Sequence, residues 1–122
     1  MSTALKPFIR ADGLEKVTGQ GRYTADLSLP GMLHASFLYA GRPHARIRSL
    51  DASAARALPG VLAVLTHEDT PSPRYGPLVQ DRTLFADGVV RFEADIVAAV
   101  AARTPEIAEE ACRLVRVEYE DL

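Results

Sequence analysis

Four groups of residues in this chain have the types and spacing that could do chemistry. The first is Gly19-Gln20-Gly21, with Lys16 and Thr18 beside it, which raises a phosphate-binding loop. A dinucleotide loop needs a third glycine, a preceding strand and a following helix, so that phosphate meets the helix N-terminus. Here the third glycine is missing and a strand is expected to follow. The Walker arrangement is absent too, because Lys16 precedes the glycines and no Lys-Ser/Thr pair follows them. A backbone turn fits better than a phosphate cradle.

The second group, His67-Glu68-Asp69, invites a metal ion. A helical zinc site needs two histidines one turn apart, but Thr70-Pro71 supplies no second His and breaks the helix. His34, His44 and His67 fall in separate elements, so exposed or hydrogen-bonded imidazoles are the plainer reading. The third group, Arg42, His44, Arg46 and Arg48, makes a basic edge at strand spacing. It could meet a phosphate or an acidic partner. The competing reading is a solvated strand face, or an edge kept from aggregating by charge. Among functional readings, a protein interface stands ahead of nucleic acid. The fourth is Cys112, beside Ala108 and Ala111 on an expected helix; with no evident base it reads as buried packing. Ser28, Ser36, Ser49, Ser53 and Ser72 lack an elbow context. Glu118, Glu120 and Asp121 read as solubilising charge. No catalytic, cofactor-binding or metal-binding residue is therefore assigned.

The elements that position these groups follow from periodicity and punctuation. Residues 1–21, an N-terminal arm, carry Gly13, Gly19 and Gly21 with little periodicity and read as irregular. A short strand is plausible over 22–29. Leu29-Pro30-Gly31 suits a type II turn, with glycine at the positive-φ position. From Met32 to Ala40 residues alternate, placing Leu33, Ala35, Phe37 and Tyr39 on one side and His34 and Ser36 on the other. The next strand should turn Ala45, Ile47 and Ser49 inward and His44, Arg46 and Arg48 outward. Asp51 is a good N-cap for a short helix near 52–58, which Pro59-Gly60 stops. "VLAVL" (61–65) is apolar throughout, as a strand covered on both faces should be. Residues 70–84 read as a long loop, and "VVRF" and "DIVAAVAA" as strands. Thr104-Pro105-Glu106 starts a longer helix near 105–115, presenting Ile107, Ala111, Leu114 and Val115 to a sheet. "VRVEYE" ends the chain as a strand. The order gives an α+β sandwich: a mixed sheet with two helices on one side.

At 122 residues the chain has room for one domain of its own, here taken as 22–122 after the arm. Its 48% apolar and 25% charged residues argue against disorder, and a net charge of −2 gives no field to draw nucleic acid. A single cysteine excludes an internal disulfide and fits a reducing compartment, so a cytoplasmic location is expected. No signal peptide or membrane span is expected.

Many short motifs in one order resemble a known module. They are Arg10-x-Asp12-Gly13, Lys16-Val17-Thr18-Gly19, Tyr23-Thr24-Ala25-Asp26, Leu29-Pro30-Gly31-Met32-Leu33-His34 and Pro43-His44-Ala45-Arg46-Ile47. Ser49-Leu50-Asp51, Leu58-Pro59-Gly60-Val61 and Leu65-Thr66-x-Glu68-Asp69 follow, and "TPEIAEEACRLVRVEYEDL" closes the match. Over about residues 8–122 the chain resembles the start of the molybdenum-binding large subunit of the xanthine dehydrogenase, aldehyde oxidase and carbon monoxide dehydrogenase family. The resemblance implies the α/β-hammerhead fold. It implies that the molybdopterin cofactor and the catalytic glutamate base lie in later, longer domains. Iron–sulfur clusters and FAD would sit on partner domains or subunits. What carries over is structural: Gly13, Gly19, Gly31 and Gly60 as turns, and Tyr23, Asp26 and Asp51 as framework. Ala94 stands where many members have glycine, and Ile96 where proline is frequent; a positive φ at Ala94 would cost about 1 kcal/mol. The expected role is a non-catalytic scaffold of a molybdenum hydroxylase, present as a fragment or a separately encoded piece. The alternatives are a free-standing interaction module using Arg42, His44, Arg46 and Arg48, and a small enzyme built on His67.

Overall fold

The computed structural model describes residues 10–70 and 74–122, so part of the expected 70–84 loop lies outside the described residues. The chain divides into two compact units, one ending at Pro30 and the other Gly31–Leu122. In the first, Gly13–Val17 forms a short helix, α1, where an irregular arm is expected. Asp12 anchors it by pairing with Arg10 at 2.5 Å and Lys16 at 3.0 Å. The Glu15 carbonyl then accepts from both Gln20 and Gly21 at 2.9 Å, folding the glycine segment back on the helix. The strand expected over 22–29 is instead a single 3-10 turn, Thr24–Asp26. Asp26 accepts the Tyr23 N–H at 2.9 Å, so the side chain satisfies the backbone where a ladder would otherwise have to.

The second unit holds β1 (His34–Tyr39), β2 (Ala45–Asp51), α2 (Ser53–Ala57), β3 (Val61–Leu65), β4 (Val89–Val90), β5 (Ile96–Ala102), α3 (Pro105–Leu114) and β6 (Arg116–Asp121). The strands form two three-stranded sheets: sheet A, ordered β1-β5-β3, and sheet B, ordered β4-β2-β6. Every strand pairing among the described residues is antiparallel, which corrects the expected mixed sheet. The reason is topological. α2 carries the chain from sheet B to sheet A and α3 carries it back, so neither helix bridges parallel neighbours within one sheet.

The long helix begins as its residue types dictate. The Thr104 hydroxyl accepts the Ile107 N–H at 3.3 Å, Pro105 occupies the first turn and Glu106 follows. α2 starts one residue later than expected: Ala52 is its N-cap, and the Asp51 carboxylate accepts the Ser53 N–H at 2.9 Å. α3 packs across all three strands of sheet A. Its Ala108, Ala111 and Cys112 are buried, and Ala111 and Cys112 pack in one cluster with Val64, Val100 and Leu38. Leu50 and Val117 of sheet B reach the same core, and a neighbouring cluster joins Ala40, Ala86, Val90 and Val97 to Ile47 and Tyr119.

Irregularities in the ladders decide which side chains face out. Val97 and Ala98 are both buried where the β1–β5 register shifts. Leu62 and Ala63 are both exposed where the β3–β5 register shifts, so β3 is an edge strand bare on one face. That corrects the reading of "VLAVL" as covered on both sides. Arg48 and Ser49 are likewise both exposed at a shift between β2 and β6, so Ser49 faces outward and Leu50 takes its inward place. The "VVRF" strand shrinks to Val89–Val90, and Tyr75 and Arg82 exchange backbone hydrogen bonds within the loop. Ala94 has a negative φ, so the alanine is not strained; the turn there is closed by Asp95 N–H to the Phe92 carbonyl at 3.0 Å. Among the described residues no helix is long and apolar enough to cross a membrane.

Candidate functional site

The four residues of the basic edge do lie together, on β2 and the loop before it, but they are not a basic surface. β6 sets acids beside them. Arg42 lies 3.6 Å from Asp121, Arg46 lies 3.9 Å from Glu120, and Arg48 reaches Glu120 at 2.5 Å. The Ser49 hydroxyl donates to Glu118 at 3.0 Å. Arg42 also stands over the Tyr119 ring, 5.9 Å from its centre. Burial pushes the Tyr119 phenol above its usual range, with Arg42 offsetting part of the effect. His44 contributes its carbonyl, which accepts the Leu122 N–H at 3.1 Å. The result is an exposed cross-strand ladder of alternating charge, which stabilises the β2–β6 pair and leaves little net field for an anion.

His67, Glu68 and Asp69 form one 3-10 turn after β3. Asp69 is occupied locally, accepting the Thr66 N–H at 2.8 Å and the Thr66 hydroxyl at 3.0 Å. The Thr66 backbone donor, then its hydroxyl, hold the Asp69 carboxyl below its ordinary pKa. Arg56 lies 3.6 Å from it and also donates to the Val64 carbonyl at 3.4 Å. His67 lines a cavity of about 270 Å³ with Arg48, Arg56, Thr66 and Glu68. Its Nδ1 has no hydrogen-bond partner among the described residues. His34 and His44 lie elsewhere, and among the described residues no three His, Cys, Asp or Glu side chains could hold a metal ion together.

Of the turn glycines, Gly19, Gly31 and Gly60 have φ of +71°, +76° and +94°. Gly13 does not have positive φ; it donates to the Arg10 carbonyl at 3.1 Å and opens α1. Gly41 and Gly88 also have positive φ, at +60° and +70°, and the sequence reading passed over both.

Among the described residues, large apolar side chains also stand exposed on the face of sheet A away from α3. Directly opposed residues of antiparallel strands share a face. Ala35, Ala101 and Ala63 make one row, and Phe37, Ala99 and Leu65 the next, with Tyr39 opposite Ile96 beyond. Phe37, Tyr39, Leu62 and Leu65 are 47%, 53%, 52% and 43% exposed, which no folding requirement of this unit explains. Phe37 and Tyr39 lie 6.5 Å apart, ring centre to ring centre. Alternation places Phe37 and Tyr39 on one side of β1, as expected, but nothing within the strand marks that side as bare. The available signal was the pattern of β5, where Val97 and Val100 face the core while Ala99 and Ala101 face away.

The sequence model of the family described as "Aldehyde oxidase and xanthine dehydrogenase, a/b hammerhead domain" matches residues 18–122, and the chain belongs to that family. It is 45% identical over 115 residues to a probable xanthine dehydrogenase subunit of Bacillus subtilis, covering 93% of this chain and 15% of that protein. It is 44% identical over 118 residues to the nicotinate dehydrogenase large molybdopterin subunit of Eubacterium barkeri, covering 96% and 28%. Quinoline 2-oxidoreductase from Pseudomonas putida 86 superposes with a TM-score of 0.86 at 42% identity, over 94% of this chain and 16% of that one. The chain thus spans less than a third of each of these relatives.

The His67 cavity does not fit a molybdopterin. The cations that line the His67 cavity, Arg48 and Arg56, already face Glu120 and Asp69, so neither guanidinium is spare for an anionic cofactor.

Proposed function

We propose that this chain is the non-catalytic hammerhead module of a molybdenum hydroxylase large subunit of the xanthine dehydrogenase, aldehyde oxidase and carbon monoxide dehydrogenase kind. Its work is to pack against the domains that hold the molybdopterin. The iron–sulfur clusters and flavin sit on partner domains or subunits, and the assembly works in the cytoplasm. The observation that carries this reading is the bare apolar face of sheet A, since a unit that leaves Phe37, Tyr39, Leu62 and Leu65 in water has packing still to do. The family membership supports it, as does the small share of each relative that the chain covers. On this reading the arm, taken as 1–21, leads into the module of 22–122.

The free-standing interaction module is the weaker reading, because the arginines it would use face carboxylates of β6. The test is complementation. The isolated chain should not turn over aldehydes, N-heteroaromatics or carbon monoxide, and should hold no stoichiometric molybdenum. Added to a large subunit lacking this segment, it should restore activity. Turnover by the chain alone, or restored activity without it, would remove the scaffold reading.

A further inference from the structure

The bare face of sheet A has a relief as well as a composition. Ala99 and Ala101 of the central strand form the floor of a trough, which Ile96 closes at the Tyr39 end. Phe37 and Tyr39 of β1 rise on one side of it, and Leu62 and Leu65 of β3 on the other. The two ridges stand two strand spacings apart, roughly 9.6 Å. An α-helix is roughly 10 Å across.

We propose that this trough receives an amphipathic α-helix from the remaining polypeptide of the same large subunit. The helix lies along β5 with apolar residues at i, i+3 or i+4, and i+7 between the ridges. The proposal rests on the scaffold reading and deepens it by naming the occupant. Three observations select it. None of the six side chains is charged, so the partner's contacting face is apolar. The patch, three strands wide and about five residues long, presents roughly 250 Å² in projection, against about 800 Å² per partner in a stable interface between free molecules. An occupant tethered in the same chain escapes that requirement, because its effective concentration is high. The parts of the relatives matched here amount to only 15% and 28% of their lengths, so such a chain has ample polypeptide to supply it. Shape decides between helix and sheet. A second sheet would lay its middle strand over Ala99 and Ala101 and leave a void there, whereas a single rod fills the trough up to Ile96.

The experiment uses the complete large subunit. A benzophenone analogue replaces Phe37 and, separately, Leu65, and the illuminated products are mapped by mass spectrometry. Adducts from both positions should fall within the same polypeptide, on residues three and four apart along one helix. Adducts on alternate residues of a strand overturn the helix and leave the scaffold reading standing. Adducts only between two copies overturn the tethered occupant in favour of self-association, and no adduct to any other segment overturns docking. Ala99→Leu and Ala101→Leu, which fill the trough, provide a second readout. The isolated chain's Tm should stay within about 2 °C, while the yield of assembled subunit falls about tenfold. An unchanged yield counts against the trough. The scaffold reading fails by different means, through turnover or bound molybdenum in the isolated chain.

Discussion

Gly60 is constrained twice, by a φ of +94° and by Ile107, whose Cδ1 would lie 2.8 Å from an added Cβ. Gly60→Ala should therefore cost about 2 kcal/mol, of which about half is backbone strain. Trimming the obstacle with Ile107→Val should recover the steric part alone, a coupling that urea melts of the two single variants and the double would reveal. Asp69 gives a pH signature. Its folded pKa is depressed below the ordinary 3.8, chiefly by the Thr66 N–H. Its contribution is complete above the ordinary value and is lost as pH falls through the lower native one. The urea midpoint of the natural chain should drop on acidification from about pH 5 to about pH 2.5. Asp69→Asn should start lower and drop less. A parallel acid limb for the two proteins would count against a structural role for this carboxylate. The capping chemistry was legible in the sequence because Thr104-Pro105-Glu106 acts within one turn. The fate of His67-Glu68-Asp69 was only half legible. A tripeptide shows that no second histidine is near, but not that the buried Thr66 takes up the aspartate.

The strands tell the same story at longer range. β5 could be read as a buried central strand because "IVAAVAA" carries no polar residue, and it does lie between β1 and β3. "VLAVL" looks equally apolar and lies at an edge. Composition registers burial by any neighbour, including one outside the described residues, so it could not separate the two. The register shifts were also invisible, since an extra residue in a strand leaves no mark until its partner is known. Arg42, Arg46 and Arg48 look basic for a related reason: the acids that answer them arrive some 70 positions later, on β6. Arg48→Glu should set two carboxylates side by side and cost about 0.5–1 kcal/mol. In denaturant midpoints, Arg48→Ala and Glu120→Ala together should cost less than the sum of the two single changes, Arg46 being present throughout. Additive costs would mean that the pair contributes no cross-strand energy.

For the unit as a whole, the core is modest. Its largest fully buried side chains are three valines, Val90, Val97 and Val100, among many alanines. Val100→Ala, at the meeting point of α3 and sheet A, should cost about 2 kcal/mol in chemical denaturation. A cost near zero would mean that the layers do not pack as described. With so little apolar volume inside and many large apolar side chains outside, Phe37, Tyr39, Leu62 and Leu65 among them, the isolated chain should bind a hydrophobic dye, and the complete subunit should bind far less per molecule. β3 has a further consequence. Its outer rim has no lysine, no proline and no neighbouring strand among the described residues, and the Val64 carbonyl is shielded by a single guanidinium, that of Arg56. That one arginine works as a stopper against ribbon growth. Arg56→Ala in the excised module should shorten the lag before thioflavin-positive fibrils appear, whereas the same change inside a complete subunit should leave shelf life unaltered.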